Sequence, residues 1–181
     1  MVKYISMLRG INISGHKLIK MEELRALYES LGFENVRSYI QSGNVIFECP
    51  DSDVSELEMK IENEIEETFG FPVNVTIRTK KEFQEVIENN PFYGETRRED
   101  IKKLHVTFLS DTPTASSLQE IEGSTYGPDQ MVIAGKEIYV FCPDGYGRTK
   151  FTNNFFEKKL KLSATSRIWK TVNRLYDMVS S

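Results

Sequence analysis

The alternation of apolar and polar residues predicts seven elements in the first half of the chain. Residues 2–8 form an apolar run typical of a strand that is buried on both faces. Residues 21–31 repeat apolar side chains at helical spacing, and Gly32 ends that helix. Two short strands flank a polar turn and indicate a β-hairpin. The remaining predictions are the hairpin strands 36–40 and 45–47, a helix 54–69, a strand 73–78 and a short helix after Thr79.

The same order of elements recurs in the second half. Residues 104–109 predict a strand, and Thr112 with Pro113 opens a helix that ends at Gly123. A second hairpin follows, with strands at 131–133 and 137–141. The last predictions are a helix at 150–160, a strand at 162–166 and a final helix capped by Thr165 or Ser166.

This recurrence predicts the fold class and the domain organisation. We expect an α+β protein with two ferredoxin-like βαββαβ subdomains, each with an extra C-terminal helix, and we interpret them as an internal duplication. The predicted subdomains are residues 1–90 and 104–181, joined by the polar, poorly periodic linker 91–103. Because few side chains match between the halves, a single mixed domain is the alternative.

Topology predicts where a binding site lies. In a ferredoxin-like unit the third strand runs antiparallel beside the first, so the end of the first strand meets the start of the third. Two polar groups are thereby brought together: Arg9, Gly10 and Asn12 after the first strand, and Gln41, Ser42, Gly43 and Asn44 in the hairpin turn. Lys17 lies in the loop that leads to the helix near Met21, whose N-terminus adds partial positive charge.

The residue types at this edge favour binding of an anion. Arginine captures phosphate or carboxylate with two hydrogen bonds, and glycine allows a ligand to approach backbone N–H groups. We expect a small anionic ligand, nucleotide-like or phosphate-bearing, or a single-stranded nucleic acid. Two alternatives stay open: a small hydrolase-like enzyme that uses His16 or Ser42, and a protein-interaction scaffold whose polar edge is structural.

Composition narrows the classes of function. The net charge of −4 argues against a general nucleic-acid coat, which needs a basic surface. Cys49 and Cys142 are the two cysteines of the sequence, so no disulfide framework is expected, and a cytoplasmic setting fits. The apolar run before Arg9 is too short for a signal peptide or a membrane span. No phosphate-loop, dinucleotide or zinc-ligand spacing occurs, so we expect no metal and no cofactor.

Several motifs resemble the bacterial family called "domain of unknown function 1697". They are Leu-Arg-Gly-Ile-Asn at 8–12, Tyr-Ile-Gln-Ser-Gly-Asn-Val at 39–45, Asn-Pro-Phe at 90–92, Thr-Lys-Phe at 149–151, and Thr165-x-Arg167-x-Trp169. Ile168 departs from the asparagine usual at its position. The resemblance implies a cytoplasmic bacterial protein of unknown role, and it assigns no catalytic residue.

Two residues of the later motifs are further candidates for ligand contact. Arg167 is expected in the first turn of the final helix, where a cation is unfavourable, so we expect an acidic partner in the chain or in a ligand. Lys150 is the second candidate.

Overall fold

A computed structural model describes residues 1–92 and 98–181. Residues 93–97, within the predicted linker 91–103, lie outside the described part. The contacts divide the chain into two compact units, Met1–Gln84 with Leu175–Ser181, and Glu85–Arg174. The second unit thus begins before residue 104, and the last seven residues group with the first unit.

Side-chain hydrogen bonds accompany the grouping of these two helix ends. The Tyr139 hydroxyl donates to the Val86 carbonyl at 2.8 Å, which ties the end of the third helix to the second unit. The Arg37 guanidinium donates to the Ser181 hydroxyl at 3.0 Å, which ties the C-terminus to the first unit. Amphipathic periodicity contains no information about these two bonds.

The first unit contains a four-stranded antiparallel sheet with the strand order β2-β3-β1-β4. Aromatic packing dominates its core: the rings of Phe33 and Phe47 stack at 4.5 Å, and Tyr28 meets Phe47 edge-on at 5.5 Å. The elements are β1 (Val2–Leu8), α1 (Met21–Ser30), β2 (Glu34–Tyr39), β3 (Asn44–Cys49), α2 (Val54–Phe69), β4 (Val75–Thr79) and α3 (Lys80–Glu88).

Side chains cap the N-termini of two helices in this unit. Asp53 caps α2 by accepting a bond from the Glu56 N–H at 3.0 Å. Thr79 and Glu82 form a reciprocal capping box before α3, since the Glu82 carboxylate accepts from the Thr79 N–H at 2.8 Å and the Thr79 hydroxyl accepts from the Glu82 N–H at 3.2 Å.

The second unit repeats this architecture with the strand order β6-β7-β5-β8. Each strand number is four higher than its equivalent in the first sheet, so the predicted α+β duplication is confirmed. After a short 3-10 helix, Arg98–Lys103, the elements are β5 (Leu104–Leu109), α4 (Ala115–Ile121), β6 (Gln130–Ala134), β7 (Glu137–Phe141), α5 (Asn153–Leu160), β8 (Ala164–Ile168) and α6 (Trp169–Ser180).

The boundary between β8 and α6 differs from the prediction. Cross-strand pairing places Arg167 opposite Val106 and Ile168 opposite His105, which extends the strand beyond residue 166. The helix therefore begins at Trp169, and the expectation that Thr165 or Ser166 caps it is wrong. Thr165 and Ser166 are typical capping residues, but here their backbone belongs to the β5–β8 ladder.

A buried polar pair links α1 to the first sheet. The hydroxyls of Ser6 and Tyr28 lie 2.6 Å apart, and both side chains are fully buried. Burial raises the pKa of Tyr28, because the phenolate would lose its hydration. The folded state therefore holds this proton more tightly than the unfolded chain does. The associated stability is complete below pH 10 and is lost as the pH rises further.

We predict that Tyr28→Phe flattens the alkaline loss of stability. In the unmodified protein, ionisation of this one phenol should lower the folding equilibrium constant about tenfold per pH unit above pH 10. Urea unfolding at pH 9, 10 and 11 measures the slope. Ser6→Ala is the matched control, because it removes the same hydrogen bond and keeps the buried phenol. Equal slopes in Tyr28→Phe and in the unmodified protein would contradict the assignment.

Candidate functional site

The pairing of β1 with β3 brings the two predicted segments together. Met7 lies opposite Asn44, and the Leu8 N–H donates to the Gly43 carbonyl at 2.8 Å. The loop after β1 therefore lies against the turn before β3, as topology predicted. We call residues 9–20 and 40–44 together the loop–turn rim.

Asn12 joins the two parts of the loop–turn rim through its side-chain amide. Its Nδ2 donates to the Ile19 carbonyl at 2.9 Å and to the Gln41 carbonyl at 2.8 Å, and its Oδ1 accepts from the Ile19 N–H at 2.8 Å. Its φ is +55°, a left-handed conformation that asparagine tolerates better than most residues. The Asn12 side chain thus has a structural role, because its hydrogen bonds hold the loop to the turn. Gln41 accepts one of these bonds through its backbone carbonyl, and it is exposed.

Gly43 permits the close approach of the turn to the first strand. Its φ is +85°, and a Cβ built on it would lie 2.8 Å from Leu8 Cβ and 2.8 Å from Ile11 Cδ1. Real Cβ atoms do not come so near, so only glycine fits without movement of its neighbours. Asn44 is buried and donates to the Tyr39 carbonyl and the Ser42 hydroxyl, both at 3.0 Å.

Arg9 and Lys17, two cations of the rim, differ in exposure. Arg9 is half-buried, and its backbone N–H donates to the Asn74 carbonyl at 3.0 Å. Lys17 is exposed, and its ammonium donates to the Pro72 carbonyl at 2.8 Å.

Gly10 is half-buried with φ +68°. His16 is exposed, and its backbone N–H bonds to the Ile13 carbonyl in a tight turn.

Left-handed backbone conformations concentrate in the rim. Ile40 has φ +50°, which is strained for a β-branched side chain, and Ser14 has φ +50°. The residues of the rim with positive φ are Gly10, Asn12, Ser14, Gly15, Lys17, Ile40 and Gly43. Such strain persists only where surrounding contacts enforce it, and it is often found at functional sites.

The other two candidates, Lys150 and Arg167, belong to the second unit. Lys150 is exposed and lines a pocket of about 320 Å³ with Arg148, Asp129 and Asp144. Arg167 lies in β8, so its expected place in the first turn of a helix is wrong. It is 8% exposed, and burial lowers its pKa to about 10. Its Nη1 donates to the Ser166 carbonyl at 3.0 Å.

Sequence reasoning missed the counterpart of Arg167 in the first unit. Arg78 occupies the same place in β4, is 1% exposed, and donates from Nη1 to the Ile77 carbonyl at 3.1 Å. Both arginines follow a buried threonine by two residues, Thr76 and Thr165. Alternation along each strand puts this Thr-x-Arg pair on one face of its sheet. Its repetition was visible in the sequence and is a direct trace of the duplication.

The described residues contain neither a cluster of metal ligands nor a membrane-spanning helix. Across residues 1–92 and 98–181, no three His, Cys, Asp or Glu side chains are grouped so as to hold a metal ion. Within the same ranges, no helix has the length and the apolar character needed to cross a membrane.

Comparisons with known proteins give the family and the fold. The family model described as "Protein of unknown function (DUF1697)" matches residues 1–139. Among solved structures, the conserved bacterial protein SP0830 from Streptococcus pneumoniae superposes with a TM-score of 0.73, at 23% identity over 98% of each chain. At that identity the likeness shows the fold alone. No curated protein is significantly similar in sequence.

We predict that Gly43→Ala destabilises the first unit more than Gly32→Ala does. Gly32 has nearly the same φ, +87°, but a Cβ there meets no atom within 4 Å. Gly32→Ala should therefore cost about 1 kcal/mol for backbone strain alone. Gly43→Ala adds a clash and should cost about 3 kcal/mol. Chemical denaturation of both variants measures the difference, and equal costs would contradict the close packing of turn and strand.

Proposed function

We propose a function for this chain, which belongs to the DUF1697 family of proteins of unknown function, from the geometry of its first unit. The chain is an anion-binding module whose ligand, nucleotide-like, phosphate-bearing or a single-stranded nucleic acid, contacts the loop–turn rim. The observation that supports the proposal is that the loop carrying Arg9 and Lys17 is held against the Gln41–Asn44 turn by the β1–β3 pairing and by the Asn12 amide. We keep the expected cytoplasmic setting as part of the proposal.

The loop of the rim is already ordered without a ligand, so binding should cost little further conformational entropy. Asn12 fixes the loop to the turn, and Lys17 is tied to the Pro72 carbonyl, so the chain entropy of the loop is already reduced. Arg9 is half-buried, and a partly desolvated guanidinium binds an anion more strongly than a fully hydrated one. An incoming phosphate oxygen replaces the Pro72 carbonyl as the acceptor for Lys17.

The N-terminus of α1 contributes less than the sequence suggested. Glu22 and Glu23 lie in its first turn and already complement its partial positive charge. Lys20 precedes the helix and is exposed. Binding therefore depends on the side-chain cations of the loop, and it should weaken as salt screens them.

The contacts of His16 and Ser42 favour structural roles over catalysis. His16 is exposed at the tip of the loop, and the Ser42 hydroxyl accepts a hydrogen bond from Asn44. The enzyme hypothesis stays a prediction from the sequence, and the geometry adds no support to it.

We predict that Arg9→Gln weakens anion binding at least about tenfold, because one charge-assisted hydrogen bond contributes about 1.5–3 kcal/mol. The probes are inorganic phosphate, ATP and an oligothymidylate of about ten nucleotides, titrated against the full chain by calorimetry at low salt. Lys17→Gln tests the same rim at an exposed position outside the core.

The matched control is Lys81→Gln, which removes one exposed positive charge from α3 of the same unit. It should change affinity less than twofold. Affinity that rises with oligonucleotide length identifies nucleic acid, whereas tightest binding of ATP or phosphate identifies a small ligand. No binding of any probe, or equal affinities in Lys17→Gln and Lys81→Gln, would contradict the proposal.

A further inference from the structure

The strand β6 forms an open edge of the second sheet. Among residues 1–92 and 98–181, it pairs with β7 alone, and the other side of its backbone has no strand beside it. The pairing runs without interruption from Gln130 opposite Phe141 to Ala134 opposite Glu137. An unpaired strand edge offers a row of N–H and C=O groups to any extended chain that reaches it.

The equivalent edge of the first sheet is protected, which makes the openness of β6 informative. Strand β2 carries Glu34 and Arg37, and its register with β3 shifts between these two residues. Charges and a register irregularity are the usual means by which proteins block strand addition. The sequence of β6, Gln-Met-Val-Ile-Ala, contains neither a charge nor a proline, and its register is regular.

A groove lies beside this open edge, between β6 and α4. Its volume is about 720 Å³, which suits several side chains of a ligand. Its apolar lining comes from Leu118 and Ile121 of α4 and from Met131 and Ile133 of β6. Ile121 is buried, whereas the other three are half-buried. Part of their apolar surface is therefore accessible to apolar groups of a ligand.

Charge indicates the kind of occupant. Glu122 and Asp129 line the same groove, and none of the described residues that line it is a lysine or an arginine. A basic segment is therefore complementary. An extended segment of another protein would bring only its own side chains to the groove. A second copy that paired through its β6 would also bring its own α4 to the same face of the sheet. We therefore favour the extended segment as the occupant.

From the open edge, the adjacent groove and its acidic lining, we propose that β6 binds an extended peptide of another protein by strand addition. The peptide pairs with the free side of β6, inserts apolar side chains at alternate positions into the groove, and carries basic residues near Glu122 and Asp129. This site belongs to the second unit and does not depend on the loop–turn rim.

The test uses designed eight-residue peptides with the full chain labelled with ¹⁵N. The first peptide alternates valine or leucine with lysine, the second replaces every lysine with glutamate, and the third places proline at two central positions. We expect only the first to shift the amide resonances of β6 in NMR titrations and to slow exchange of the alternate β6 amides that do not bond to β7. Proline removes backbone donors, so the third peptide should bind at least about tenfold more weakly.

Variants locate the binding face. Leu118→Lys places a cation in the groove and should weaken the first peptide at least about tenfold. Val132→Lys adds the same charge to the opposite face of β6 and should change affinity less than twofold, since alternate strand residues point to opposite faces. Glu122→Gln with Asp129→Asn removes both carboxylates while keeping the size of the side chains, and it should lower both the affinity and its salt dependence.

Three results would overturn the proposal. One is the absence of binding by the first peptide at millimolar concentration. Another is equal binding of the lysine and glutamate peptides, which would remove the role of the acidic lining. The third is protection of the β6 amides that grows with protein concentration without peptide and accompanies dimers in sedimentation, because a second copy would then be the occupant.

Discussion

The antiparallel pairing of β1 with β3 is the constraint on which the first unit depends. It fixes the end of one strand against the start of the other, so two segments about thirty residues apart in sequence share one rim. The close approach then requires glycine at residue 43, and the Asn12 amide supplies the bonds that the loop backbone needs. Because these contacts hold the loop against the turn, the rim can keep a strained backbone at Ile40.

The second unit repeats the scaffold and departs from it at the surface. The last strand of each sheet keeps a Thr-x-Arg pair with a buried guanidinium, and each Nη1 bonds to the preceding carbonyl. A buried arginine is costly unless its donors are satisfied, so the repeated bond is part of what both sheets share. The edges differ, since β2 is blocked by charge and irregular register whereas β6 is open beside a groove. Duplication thus supplied one stable framework with two different surfaces.

Fold class, the antiparallel pairing of the first and third strands, and the meeting of loop and turn were predictable from the sequence, because periodicity identifies elements and the topology of a ferredoxin-like unit then fixes neighbours. The structural role of Asn12 was not predictable, because its three side-chain hydrogen bonds depend on a left-handed φ that no sequence pattern reveals. Arg167 was misplaced because local capping preference competes with cross-strand pairing, and pairing with β5 prevailed. The grouping of two helix ends was not predictable either, because the bonds found there, from Tyr139 to Val86 and from Lys3 and Arg37 to Ser181, join residues distant in sequence, which periodicity does not encode.

The most direct test of the central claim is a nuclear Overhauser spectrum of the labelled protein in solution. Contact between the turn and the first strand requires strong cross-peaks from the Gly43 Hα protons to the Ile11 δ-methyl group, together with slow exchange of the Ile19 amide that donates to Asn12. Absence of those cross-peaks, with a rapidly exchanging Ile19 amide, would show that the two segments do not meet and would contradict the account.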